Sequence, residues 1–88
     1  MKPEKPAASP KDLLRAVDLA LAGEWDGAHA IVQQDETGAA ACWIHAVLHK
    51  IEGDEDNSRY WYRRSGRAYE DYGDSKTGLR AIWAALTG

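Results

Sequence analysis

Apolar residues recur along this chain at helical spacing. Leu13, Leu14, Val17, Ala20 and Leu21 fall three or four positions apart, as on a helix with one buried face. Ser9, Pro10 and Asp12 precede them as a cap, a first-position proline and a first-turn acid, and Gly23 is a stop signal. Trp25, Ala28, Ile31 and Val32 mark a second helix over about 24–34, followed by a turn at 35–38. A third helix over about 39–52 carries Ile44, Val47, Leu48 and Ile51 on one face and ends at Gly53. Asp54 is a good cap for a fourth, which runs to about Ser65 and stops at Gly66. Residues 67–74 read as a loop or short extra turn carrying Tyr69 and Tyr72. Asp74 or Ser75 then caps a fifth helix, with Leu79, Ile82, Trp83 and Leu86 at i, i+3, i+4 and i+7. No stretch alternates with period two, so the pattern predicts an all-α chain of about five helices.

Two parts of the chain repeat each other. ALAGEWDGAHAIVQ (20–33) and KIEGDEDNSRYWYR (50–63) align without gaps at an offset of 30. In both, a helix ends at Gly, an acidic start follows, and a small residue stands five places after the Gly: Ala28 in one, Ser58 in the other. Ala16 and Ala46 are the small residues on the preceding helices. Small side chains at these places let two helices of a hairpin approach closely. The arrangement resembles the tetratricopeptide pattern, with Tyr62 where that motif has its second-helix aromatic and Ser65 where it has a later alanine. It departs from the usual period of about 34 and lacks the motif's proline and in-register tryptophan. The resemblance implies two antiparallel helical hairpins, tetratricopeptide-like, plus a C-terminal capping helix over the exposed end. The segment CWIHAVLHKIEGDEDNSRYWYRRSGR (42–67) also resembles a group of small uncharacterised bacterial proteins with a run of the form W-I-H-A-x-L-H-x-x-E-G-D-x-x-N-x-x-Y-W-Y-R-R-x-G. AHAIVQ adds a weaker match. That resemblance implies a helical hairpin and draws attention to the segment, and it transfers no reaction.

Length and composition narrow the function. The 88 residues fit one domain, taken as 9–88, with the proline-rich, charged residues 1–8 as a disordered tail. Phe is absent, so Trp25, Trp43, Trp61 and Trp83 are expected to supply much of the core. A net charge of −3 argues against a general nucleic-acid binder. The interleaved Arg59, Tyr60, Trp61, Tyr62, Arg63 and Arg64 point all around a helix and make no flat stacking platform. No apolar run is long enough for a membrane span, and the first ten residues lack the apolar stretch of a signal peptide. The single Cys42 allows no internal disulfide, so a cytoplasmic location is the default expectation.

Candidate chemistry gathers on the third and fourth helices. His45, His49 and Glu52 lie on one helix stripe, and two histidines at i, i+4 can share a metal ion, with Glu52 as third ligand. The zincin motif needs Glu after the first His, and Ala46 stands there. The run 54–65 lacks the glycine and the final glutamate of a calcium loop, holding Arg59 and Ser65 instead. Its acids at the start of helix four, with Arg63, Arg64 and Arg67 near the end, complement the helix dipole. Cys42 and His45 have no third group to complete a nucleophilic site. If helices three and four form a hairpin, His45, His49, Glu52, Asn57, Trp61 and Arg64 make a polar seam. That seam reads equally as a binding site or as a hydrogen-bond network that fixes the hairpin.

The sequence therefore favours a non-enzymatic binding or adaptor module for a protein or peptide partner. The alternative is a small-ligand or metal site, possibly enzymatic, on His45, His49, Glu52 and Arg64. Two hairpins fall short of the roughly three repeats that such stacks need. A homodimer through the helix of Leu79, Ile82, Trp83 and Leu86 is thus also expected.

Overall fold

The computed structural model describes residues 8–88, so of the expected N-terminal tail residues 1–7 lie outside the described part. Ala8 is within it: its N–H donates to Asp35 Oδ2 at 3.0 Å. Five α-helices follow in order: α1 (Pro10–Leu21), α2 (Trp25–Val32), α3 (Ala39–Ile51), α4 (Glu55–Ser65) and α5 (Ser75–Thr87). A short 3-10 turn, Tyr69–Asp71, sits between α4 and α5. Among the described residues there is no strand. α1 pairs with α2, α3 pairs with α4, and α5 lies against α1 and α3.

The starts and stops are those the sequence signals. Ser9 Oγ accepts from the Asp12 N–H at 3.1 Å, Asp54 Oδ1 from Asn57 and Asp74 Oδ1 from Thr77, each satisfying a donor that a helix start leaves free. The two hairpin turns are copies of each other. Gly23 (φ 83°) and Gly53 (φ 82°) both take the left-handed conformation, which glycine adopts without a Cβ penalty. After α1, Glu24 N donates to Leu19 O and Gly23 N to Ala20 O. After α3, Asp54 N donates to His49 O and Gly53 N to Lys50 O. Every residue in the second set stands 30 places after its counterpart, so the repeat is one of backbone hydrogen bonding: the Schellman exit twice over.

The small residues sit where the helices touch. Ala16, Ala28, Ala46 and Ser58 have no solvent exposure, and Ser58 Oγ donates to Ala46 O at 2.7 Å across the α3–α4 hairpin. α3 is the central helix. Residues 41–48 are buried without interruption, because α1, α2, α4 and α5 all contact it.

The core differs from expectation in its aromatics. Ile44, Leu48, Leu79, Ile82, Val17, Val32 and Val47 are its fully buried large aliphatics, whereas of the tryptophans only Trp43 is buried. Trp25 and Trp61 are half-buried, and Trp83 is exposed. Ile51, assigned to the buried face of α3, is 44% exposed. These side chains stand at the margins of their apolar stripes or at a helix end. A stripe wider than its neighbour's contact leaves its edge in water.

Lys50 anchors the loop after α4. Its Nζ donates to Tyr69 O and Tyr72 O at 2.9 and 2.8 Å and lies 4.3 Å from the Tyr69 ring centroid. Asp35, also buried, accepts from the backbone of Ala8, Thr37 and Gly38. Burial alone would raise its pKa, but these donors together hold it below the usual carboxylate value.

The Ser58 contact gives a direct test of the hairpin. Ser58→Leu must insert extra carbons between α3 and α4 and should lower stability by roughly 1–3 kcal/mol. Ser58→Ala removes only a hydrogen bond and should cost about 1 kcal/mol. Urea midpoints rank the two, and a leucine variant as stable as the parent would show the contact to be loose.

Candidate functional site

The chain has three histidines, and all three meet in one place. His45 and His49 project from successive turns of α3, and His29 reaches them from α2. One ring nitrogen from each lies within 4.8 Å of the others. His29 Nε2 and His45 Nε2 are 3.2 Å apart. His45 is buried, while His29 and His49 are half-buried, so the cluster meets solvent on one side.

Aromatic rings hold the imidazoles in place. Trp61 of α4 stacks on His45 at 3.9 Å and 11°. Trp25 of α2 stacks on His29 at 4.6 Å and 14°. His45 and His49 stack on each other at 5.0 Å, and His29 meets His45 edge-on. Trp25 is fixed in turn by its indole N–H, which donates to Leu48 O at 2.6 Å. Trp25 and Trp61 thus sit at the edge of the core, packed against it and each also covering an imidazole.

Glu52 has a supporting place. Its Oε1 lies 2.7 Å from His49 Nδ1. A bond to a carboxylate oxygen needs the proton on Nδ1, which in a neutral imidazole leaves the lone pair on Nε2. The sequence pattern offered Glu52 as a ligand beside His45 and His49. The close set is instead the three histidines, and Glu52 forms a different group with His49 and Asp54. The other seam residues divide. Trp61 joins the cluster. Asn57 does not: its Nδ2 donates to Asp54 Oδ2 at 2.6 Å at the start of α4. Arg64 donates to Glu36 O, with its guanidinium carbon 5.5 Å from the Trp61 ring. Cys42 is buried, its Sγ 3.5 Å from Glu36 O, and burial raises its pKa, so it acts as packing.

His29 and Trp25 are the members the sequence reading missed. They stand at i, i+4 on α2, the same spacing as His45 and His49 on α3. That shared spacing, on the two helices that face each other, is the signal that could have found them.

Against protein-family models, curated proteins and solved structures, the chain finds no match.

The geometry suits a transition-metal ion. Two nitrogens each about 2.0–2.1 Å from a tetrahedral zinc ion stand roughly 3.3 Å apart, close to the spacing of His29 Nε2 and His45 Nε2. The Glu52 carboxylate behind His49 is the outer partner that commonly orients a ligating imidazole. A ligand must be neutral imidazole, and burial, with His29 and His49 beside it, takes the His45 pKa down to about 3. Burial and His49 also lower that of His29. His45 Nδ1 is buried without a partner.

These shifts set a pH dependence in the metal-free protein. His45 takes up a proton near pH 6.5 when unfolded but only near pH 3 when folded. Stability is therefore at its full value above about pH 6.5 and is lost as the pH falls toward 3, by about 2 kcal/mol at pH 5. His29 adds in the same direction. With chelator present, urea midpoints should fall between pH 7 and pH 5, and His45→Leu should remove most of that slope. A parent whose midpoint is flat over this range would contradict the neutral, buried imidazole.

Proposed function

We propose that this chain is a small helical metal-binding module, and that His29, His45 and His49 hold a divalent transition-metal ion between α2 and α3. The observation that carries the reading is the convergence of every histidine in the sequence on one cluster, with His29 Nε2 and His45 Nε2 at a spacing that fits ligands of one ion. Borderline nitrogen donors with no thiolate among them favour zinc, copper or nickel over calcium or magnesium. Glu52 orients His49, and Trp61 and Trp25 fix the other two rings.

The adaptor reading has less support. A peptide-binding face would leave aromatic side chains free for a partner, whereas Trp25 and Trp61 are stacked on His29 and His45. Tyr60 and Trp83 are the exposed aromatics that a protein partner could use.

A ligand that binds only the folded state raises its stability, by about 2.7 kcal/mol at one hundred times its dissociation constant. Zinc should raise the melting temperature of chelator-treated protein, and calcium or magnesium should not. Copper(II) should also quench tryptophan emission, because Trp25 and Trp61 stack on ligating rings. His29→Ala should abolish both effects while the fold survives, since His29 is half-buried. If that variant responds to zinc as the parent does, the three-histidine site is wrong. If His49→Ala instead costs about 1–3 kcal/mol and no ion shifts the parent, the cluster is architecture.

A further inference from the structure

A cavity separate from the histidines lies where the first turn of α3 meets the last turns of α5. Its volume is about 210 Å³. Trp43 and Ile82, both buried, form its floor, and Leu86 of α5 continues the apolar wall. Ala39, Arg67 and Ala85, all exposed, stand at its mouth. Among the described residues, no histidine and no acidic side chain lines it.

The polar groups of this cavity are donors. The Trp43 indole N–H is buried and has no partner among the described residues, a state that buried polar groups rarely show. The Arg67 guanidinium lies over the Trp43 ring, its carbon 4.0 Å from the centroid. A guanidinium stacked on an aromatic ring keeps its N–H donors in its own plane, where an anion can meet them. Among the described residues Arg67 makes no ion pair: those present join His49 to Glu52 and Arg59 to Glu55 and Glu70. Ser65 Oγ is already engaged, donating to Tyr62 O and accepting from the Arg67 backbone N–H. Ala39 and Ala40 open α3, whose first turn has no acid and whose cap, Gly38, makes no side-chain bond. The positive end of the helix dipole therefore adds to the guanidinium charge. Asp35, on the turn before α3, is held by the N–H groups of Ala8, Thr37 and Gly38 and does not line the cavity.

The lining sets the ligand. Donors without acceptors call for a group that brings acceptors and negative charge, and arginine pairs with a planar carboxylate through parallel N–H bonds. The apolar floor and wall call for a hydrocarbon body. Size limits that body: an apolar cavity of about 150 Å³ holds benzene, so this one has room for a single ring that carries a carboxylate. We propose that the cavity binds a small aromatic monocarboxylate, with its carboxylate on Arg67 at the mouth and its ring among Trp43, Ile82 and Leu86. The site shares no residue with the histidine cluster, so it stands or falls apart from the metal-binding reading.

Benzoate is the probe, and the backbone and indole N–H signals in NMR spectra are the readout. Benzoate should move the Trp43 indole signal and the Ala39 and Ala40 amides. Its dissociation constant should be on the order of 1 mM, the level that a ligand of roughly nine heavy atoms supports. Benzamide has the same shape without the charge and should bind about tenfold more weakly. Arg67→Met keeps the stem of the side chain and should erase that preference. Ala85→Leu narrows the mouth and should abolish binding of both compounds. Both positions are exposed, so both variants keep the fold. Zinc should change none of these results. If benzoate leaves these signals unmoved, or moves those of His29 and His49 instead, the inference is overturned while the metal site stands. Equal binding of benzamide, or parent-like binding of benzoate by Arg67→Met, overturns the carboxylate assignment. Parent-like binding by Ala85→Leu places the ligand outside the cavity and overturns it as well.

Discussion

The enclosure of α3 sets the terms for every polar group it carries. Residues 41–48 are buried in succession, and an imidazole in such a stretch must find partners or cost the fold about 1–3 kcal/mol. His45 meets this demand at one nitrogen only, since its Nδ1 is buried without a partner. Its Nε2 faces His29 Nε2, and its ring is covered by Trp61. One contact comes from α2 and the other from α4, so the same residue ties both hairpins to the central helix. The Trp25 indole bonded to Leu48 O adds a second tie between α2 and α3. It uses a carbonyl that also accepts from the Glu52 N–H at 3.2 Å, so the bond to α2 does not disrupt the helix.

The position of α2 follows from the turn before it. Gly23 lets the chain reverse within two residues, with the same pair of backbone bonds that Gly53 makes possible after α3. α2 then packs on α1, with Gly27 close to Leu19; Ala28 has no exposure, and the next residue, His29, reaches His45 of α3. A larger side chain at 28 would push α2 outward and take His29 away from His45. The cluster thus depends on a small residue and a glycine that carry no chemistry of their own.

The helices were legible in the sequence because each has both a periodic stripe and a local start or stop: Ser9, Asp54 and Asp74 as caps, Gly23, Gly53 and Gly66 as exits. These act within a turn of chain and need no knowledge of the fold. The hairpin contact of Ala46 with Ser58 was legible for a related reason, since the offset of 30 marks equivalent positions. The cluster was only half legible. His45, His49 and Glu52 share a helix, so their spacing showed them together. His29 is 16 residues from His45 along the chain, and only the packing of α2 on α3 unites them. Asn57 failed in the opposite way. It stands in α4, but a nearer partner, the Asp54 carboxylate, takes its amide. The tryptophans depart from expectation because residue type alone does not set burial: His29 on the same helix gives Trp25, and His45 on the neighbouring helix gives Trp61, a flat stacking surface at the core's edge.

The protons within the cluster bear on what it is for. A neutral His49 that donates from Nδ1 to Glu52 has a bare Nε2. Between His29 Nε2 and His45 Nε2 there is one hydrogen bond, and it needs one proton. One of those nitrogens is therefore a donor and the other a bare acceptor. An ion at the centre needs lone pairs from all three rings. Reaching that state from the metal-free one requires a single neutral imidazole to move its proton from Nε2 to Nδ1, with no net loss of charge. Burial has already removed the competing protonation of His45 at neutral pH. A network built only to join helices would gain from a proton on each facing nitrogen and an acceptor opposite each one. In that tautomer the converging nitrogens hold more acceptors than donors, which is the imbalance the proposed cation would relieve.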